Sequence, residues 1–228
     1  QIFSCTGTGT VTGGALIERA YPQWFYSGAG NYRVAIQAAV KLCRNVYFSE
    51  GIYQVDGTSI LLRDGSRLWG IRGKSIIQGT ADVLDLEWAI NQGQIFTAYK
   101  VSGVHISNLS FDGAEFKAGA VAFSDSQNST IEYCDISNAI GSQGVQVSSD
   151  DNPPSCQNII VNANKIYRCA HGIQFWWTKN CKAVDNDVER VSGAGIWSAV
   201  STDLLVANNR VQDCGDMGID FEGGSTCL

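Results

Sequence analysis

The chain has 228 residues, 44% of them hydrophobic and 17% charged, and a formal net charge of −6. That length suits one large domain with a long core, and the acidic balance argues against holding DNA or RNA by its phosphates. No apolar run approaches the roughly 18 residues of a membrane-spanning helix, so no membrane insertion is expected.

Residues 1–30 are rich in Gly and Thr, lack a period and read as a lead-in segment. In residues 31–44, Ile36, Ala39, Val40 and Cys43 recur at helical spacing with Asn31 placed to cap. An amphipathic helix is predicted there, laid over the first core layer. Short strands are predicted at 46–48, 53–55, 60–62, 67–69 and 75–78. The turn signals Glu50-Gly51, Asp56-Gly57, Asp64-Gly65 and Gly70 divide them. Residues 79–100 break this rhythm and read as an excursion, and the rhythm resumes at Val104. From Gly144 to Gly172 the interval lengthens to 28 residues, which the polar segment 148–155 accounts for. Asp150 and Asp151 in that segment could meet a cation, but two adjacent acids are not a ligand set, and a solvated loop is expected.

From residue 158 the chain repeats itself. Asn164, Asn186 and Asn209 are spaced by 22 and 23 residues. Gly172, Gly195 and Gly218 are each followed by Ile and are 23 residues apart. The period is too short for paired-helix repeats of about 33 residues or more, and the Leu-x-x-Leu-x-Leu line of leucine-rich repeats is missing. What remains is an all-β solenoid, a parallel β-helix with coils of about 22–23 residues and an N-terminal capping helix. The β-helix domain is expected to span 31–228, with the helix cap at 31–44 and the coils at 46–228. The only Met is Met217, and the last coil looks ordinary up to Leu228, so further coils are expected beyond it.

Alignment of the coils places Cys169, Val191 and Cys214 in one interior column. Cys169 and Cys214 would then be two coils apart, roughly 10 Å at one strand spacing per coil, too far for a disulfide. The eight cysteines are therefore expected to be free thiols, made in a reducing compartment. Lys165, Asp187 and Arg210 should form a ladder of alternating charge, and the three Asn a hydrogen-bonded ladder inside a corner.

Strand alternation sorts the strand after each Gly into two faces. Val145, Val147, Ile173, Phe175, Ile196, Ser198, Ile219 and Phe221 are expected inside. Gln146, Ser148, Gln174, Trp176, Trp197, Ala199, Asp220 and Glu222 are expected outside. Trp faces against pyranose rings, with amides and acids for the hydroxyls, would make a sugar groove. The alternative is that Trp176 or Trp197 packs under a loop or against a neighbouring chain. His171, one residue before this strip, is either a helper of the site or an ordinary surface histidine. With His105 it makes no metal-ligand spacing, and neither metal nor cofactor is expected.

Tyr21-Pro22-Gln23-Trp24-Phe25, then Ala35-Ile36-Gln37-Ala38-Ala39, then Val46 to Gly51-Ile52-Tyr53, resembles the opening of pectate-lyase-like, right-handed β-helix proteins. That group includes bacteriophage tailspikes and capsule depolymerases. The usual opening is Pro-Glu-Trp-Phe-Gly-Ala, an Asp-Gly-rich turn, the Ala-Ile-Gln-Ala-Ala helix and a strand. This sequence departs at the turn, where residues 28–33 replace the Asp-rich segment. The resemblance implies the body of a tailspike that acts on bacterial surface polysaccharide. It also implies a homotrimer with other virion tail proteins as partners, and a place in the virion tail; the alternative place is a secreted bacterial protein. Because the group's functions differ widely, activity has to be read from the site. Asp220 and Glu222 lie two residues apart on one strand, so their Cα atoms should be about 6.5–7 Å apart. That spacing serves either a retaining or an inverting glycosidase. An acid beside Trp197 loses hydration, as a general acid needs. Asp216, in the preceding turn, is a third candidate. The readings in competition are carboxylate hydrolysis, a polysaccharide lyase, and a non-catalytic receptor-binding or structural β-helix.

Overall fold

The computed structural model of the protein describes residues 17–28, 30–84, 93–150, 154–223 and 226. Among these, all strand pairings within the sheets are parallel. Each coil gives one strand in turn to sheets A, B and C. Sheet A runs Asn45–Tyr47, Arg67–Trp69, His105–Ser107, Gln127–Glu132, Cys156–Asn162, Lys182–Val184, Leu205–Ala207. Sheet B runs Gly51–Thr58, Ser75–Leu84, Ser110–Asp112, Asp135–Ser137, Lys165–Tyr167, Asp187–Glu189, Arg210–Gln212. Sheet C runs Ile60–Leu61, Gln94–Tyr99, Gly119–Ser124, Gln143–Ser148, His171–Trp176, Ile196–Ala199, Ile219–Glu222. The result is a right-handed parallel β-helix of about seven turns.

The corner between sheets A and B explains the Asn repeat. It is made by one residue in the left-handed region, Ala163, Asp185 or Asn208, followed by the Asn. Asn164 and Asn186 are buried, and each donates from its side-chain amide to the next Asn, at 3.1 Å to Asn186 and 3.0 Å to Asn209. Each side-chain amide also reaches back to a backbone carbonyl one coil earlier, Ile131 and Val161. A sharp corner strands backbone groups inside the solenoid, and the Asn column satisfies them. Inside, like stacks on like: Val46, Leu68, Ile106, Ile131, Val161 and Ala183 form one buried column of sheet A.

The helix forms at Arg33–Leu42, shorter than the expected 31–44. Its Ile36, Ala39 and Val40 are buried against the first coil as expected, joined by Ala35. The N-cap is Tyr32, without a side-chain cap bond, and not Asn31 as expected; Asn31, one residue earlier, still accepts the Arg33 N–H at 2.8 Å. The expected excursion at 79–100 is corrected at both ends. Ser75–Leu84 continues through it as one strand, shifted in register between Val55 and Gly57 of its neighbour, and Gln94–Tyr99 is a regular sheet C strand. Residues 85–92 lie outside the described residues.

Cys43, Cys134, Cys156, Cys169, Cys181 and Cys214 are free thiols, all buried except the half-buried Cys214. Cys5 and Cys227 lie outside the described residues. Of the charge ladder, Arg210 and Asp187 pair at 2.6 Å. Lys165 stands beside Asp187 in register but makes no ion pair among the described residues. Asp135, its other neighbour, is held instead by Arg72 at 2.7 Å.

Candidate functional site

Two rows run across the outer face of sheet C, parallel to the solenoid axis. One holds Thr97, Ala122, Gln146, Gln174, Trp197 and Asp220; the other holds Tyr99, Ser124, Ser148, Trp176, Ala199 and Glu222. The alternation is the expected one, but outward does not mean accessible. Gln146, Ser148 and Ser124 are fully buried, and Gln174 and Ala199 are 5% exposed. Gln146 donates its amide to the Ser148 hydroxyl at 3.3 Å, so that amide is committed inside the protein. The expectation of Gln146 as an open sugar contact is therefore corrected. Gln174 lies between the bulky Trp176, on its own strand, and Trp197, beside it in the next coil. The expected burial of Ile219 and Phe221 is corrected too, since each is 43% exposed. Their strand is the last one of sheet C among the described residues.

The accessible part of the strip is a cluster at its C-terminal end. The Trp176 and Trp197 rings lie 5.4 Å apart at 41°, and Trp176 is 40% exposed. His171 lies 6.4 Å from Trp197 on the other side. It is half-buried, and its Nδ1 accepts the Ala194 backbone N–H at 3.0 Å. That bond fixes the ring and leaves Nε2 as the nitrogen for anything outside. Gly193 makes room for it, because a Cβ there would stand 2.4 Å from the His171 ring. Only the Ser-Gly-Ala-Gly run at 192–195 hints at this seat in the sequence.

Asp220 sits next to Trp197 in register and is half-buried, and Glu222 sits next to Ala199 and is exposed. Asp220 makes no ion pair among the described residues. Asp216 is exposed in the turn before the strand, its N–H directed to the Gly193 carbonyl at 3.3 Å. The fold thus brings His171, Gln174, Trp176, Trp197, Asp220 and Glu222 onto one patch, with Asp216 at its edge. Asp150, in the 148–155 loop, directs its N–H to Asp125 at 3.2 Å, while Asp151 lies outside the described residues. No cluster of metal-ligating side chains is present among the described residues.

The model of the family described as "Right handed beta helix region" matches residues 91–228. The chain belongs to the right-handed β-helix family. No curated protein matches it. Among solved structures, this β-helix is similar to the A-module of the Azotobacter vinelandii mannuronan C-5 epimerase AlgE6, at 18% identity and a TM-score of 0.72. That match covers 88% of this chain and 58% of that module. It is similar to PfbA, a surface adhesin of Streptococcus pneumoniae, at 15% identity and a TM-score of 0.66, covering 92% of this chain and 61% of PfbA. It is also similar to the Dettilon tailspike protein, at 13% identity and a TM-score of 0.59, covering 90% of this chain and 46% of that one. At these identities the likeness is one of fold.

Proposed function

We propose that the C-terminal patch of sheet C binds and hydrolyses a bacterial surface polysaccharide, with the chain as the body of a tailspike-like depolymerase. The observation that carries this reading is the placement of Asp220 directly beside Trp197 in one outward row, with Trp176 on the ring's other flank. An aromatic shelf packs on the apolar face of a pyranose, and a carboxyl next to it meets the glycosidic oxygen in a partly dehydrated setting. Asp220 would act as the acid, Glu222 as base or nucleophile, and Asp216 as a third carboxyl within reach. His171 would offer Nε2 to a hydroxyl. Gln174 would support the Trp pair more than touch the sugar. A homotrimer in a virion tail, outside the host cell, is the assembly this reading implies, with a secreted bacterial protein as the alternative setting.

The same shelf would serve adhesion without chemistry, and the exposure of Trp176 favours that second reading equally. The test uses capsular and lipopolysaccharide preparations incubated with the protein, scored for new reducing ends and, separately, for unsaturated products. Hydrolysis predicts reducing ends without unsaturation, lost in Asp220→Asn and in Glu222→Gln. Parental rates in both folded variants would place the site elsewhere. Unsaturated products would make it a lyase, and binding without products would leave adhesion.

A further inference from the structure

A second strip stands on a different face of the solenoid. Ala20 pairs with Val46 in parallel, through Ala20 N–H to Asn45 O at 2.8 Å and Tyr47 N–H to Ala20 O at 2.9 Å. The lead-in thereby adds one more rung to sheet A. With Ala20 buried, Arg19 and Tyr21 turn outward on either side of it. Two columns result along the axis. One reads Arg19, Asn45, Arg67, His105, and the other Tyr21, Tyr47, Trp69, Ser107. Four rungs span about 14 Å at one strand spacing each. The aromatic column is continuous: Tyr21 meets Tyr47 at 5.7 Å, and Tyr47 meets Trp69 at 5.8 Å. Trp24, on the 3-10 turn Pro22–Phe25, closes one side at 5.1 Å from Tyr21. The groove between these walls has a volume of about 1040 Å³.

The basic side chains of this groove are not alike. Arg19 lies over the Tyr47 and Trp69 rings, 5.4 and 5.2 Å from their centroids, which accounts for its position within the fold. His105 is held by Glu132 at 2.9 Å. Arg67 is exposed between them, and its guanidinium makes no hydrogen bond or ion pair with any described residue. Glu18 also lines the groove, one acid against two guanidinium groups, in a protein whose net charge is −6. A forked guanidinium with free donors beside an aromatic column fits a ring that carries a carboxylate, bound bidentately while its apolar face stacks.

We propose that this sheet A groove is a second saccharide site, selective for carboxylate-bearing sugars, with Arg67 as the selectivity residue and Trp69 as its shelf. It is independent of the sheet C patch. The probes are hexamers of galacturonate, mannuronate and guluronate, with fully methyl-esterified galacturonate hexamer as the neutral control. Binding is read by titration calorimetry at low salt. At least one acidic hexamer should bind, and more tightly than the ester. Arg67→Gln should weaken the acidic hexamer at least fivefold and leave the ester within twofold, and Trp69→Ala should weaken both at least fivefold. Trp176→Ala combined with Trp197→Ala should leave the acidic hexamer's affinity within twofold, which separates this site from the sheet C reading. Overturning results are no binding by any acidic hexamer, or a smaller effect of either sheet A variant in protein whose circular dichroism is unchanged. So is a loss of binding in the sheet C double variant.

Discussion

Trp176 and Trp197 touch although they do not share a row. The register partner of Trp176 is Ala199, and that of Trp197 is Gln174. Diagonal neighbours in a sheet are within reach only of large side chains, and the small Ala199 leaves Trp176 the space to lean across. The pair therefore depends on Ala199 as much as on the two indoles. Rings 5.4 Å apart should give an exciton couplet in circular dichroism. Trp176→Ala and Ala199→Leu should each abolish it. Trp176 is 40% exposed but packs on Trp197, so its removal should cost about 1–3 kcal/mol in lost burial and ring contact. A couplet that survives both substitutions would show that the contact does not form.

The Asn column should be the most sensitive polar feature of the fold. Asn186 accepts from the Asn164 N–H and side-chain amide, both at 3.1 Å, and donates to Val161 O and Asn209 Oδ1 at 2.9 and 3.0 Å. Asn186→Ala strands several buried groups, each costing about 1–3 kcal/mol. A loss of about 3 kcal/mol or more is expected in urea unfolding. Asn209→Ala should cost less, because Asn209 is only half-buried.

The repeat betrayed itself in the sequence because its coils are regular where the ladder runs, and a column of identical residues at a constant interval needs no structure to be seen. The sheet A strip was hidden for the opposite reason. Tyr47 and Trp69 are one coil apart at 22 residues, but Trp69 and Ser107 are also one coil apart at 38, and Tyr21 enters from a segment with no period at all. On sheet C, alternation gave the facing of Gln146 correctly, while its burial depends on packing that alternation does not encode.

Thiol reactivity should grade with burial. Cys134, Cys156, Cys169 and Cys181 are fully enclosed, while Cys214 lies half-open in the last coil among the described residues. Alkylation of the native protein followed by peptide mapping should modify Cys214 first among these five. In the unfolded, unreduced protein nearly all eight cysteines should react. A count near zero would mean disulfides and a different stacking.

Those enclosed thiols also set an alkaline limit. Burial pushes Cys181 up to about 11 and Cys134 and Cys169 up to about 12, from an ordinary value of 9.0. The folded state therefore holds protons that the unfolded chain gives up. Their contribution is fully present below pH 9 and is lost as pH rises from about 9 to 12. Each thiol removes about 1.4 kcal/mol per pH unit between its ordinary value and its own raised one, so Cys181 stops contributing near 11 and Cys134 and Cys169 near 12. Stability measured by urea unfolding should fall progressively more steeply above pH 9, and Cys169→Ala should reduce the slope by about one proton. An unchanged slope would show that Cys169 is not enclosed.

The Gly-Ile signature of the repeat yields the sharpest contrast, because its glycines answer to space and not to backbone conformation. None of Gly172, Gly195 and Gly218 has a positive φ. A Cβ on Gly172 would stand 2.3 Å from the Gly195 carbonyl oxygen and 2.5 Å from Val188 Cγ1. The obstruction is partly backbone, fixed where the Gly195 carbonyl accepts the Ile173 N–H and the Gly195 N–H donates to the Met217 carbonyl, so it cannot swing aside as a flexible side chain could. At Gly218 the nearest atom, Val211 Cγ1, is 3.7 Å away, an ordinary contact. Gly172→Ala should therefore destabilise the protein by about 3 kcal/mol, at the upper end of overpacking costs. Gly218→Ala should fall within about 0.5 kcal/mol of the parent. Equal costs at the two positions, measured by urea unfolding, would mean that the repeat keeps Gly there for a reason other than the approach of the next coil.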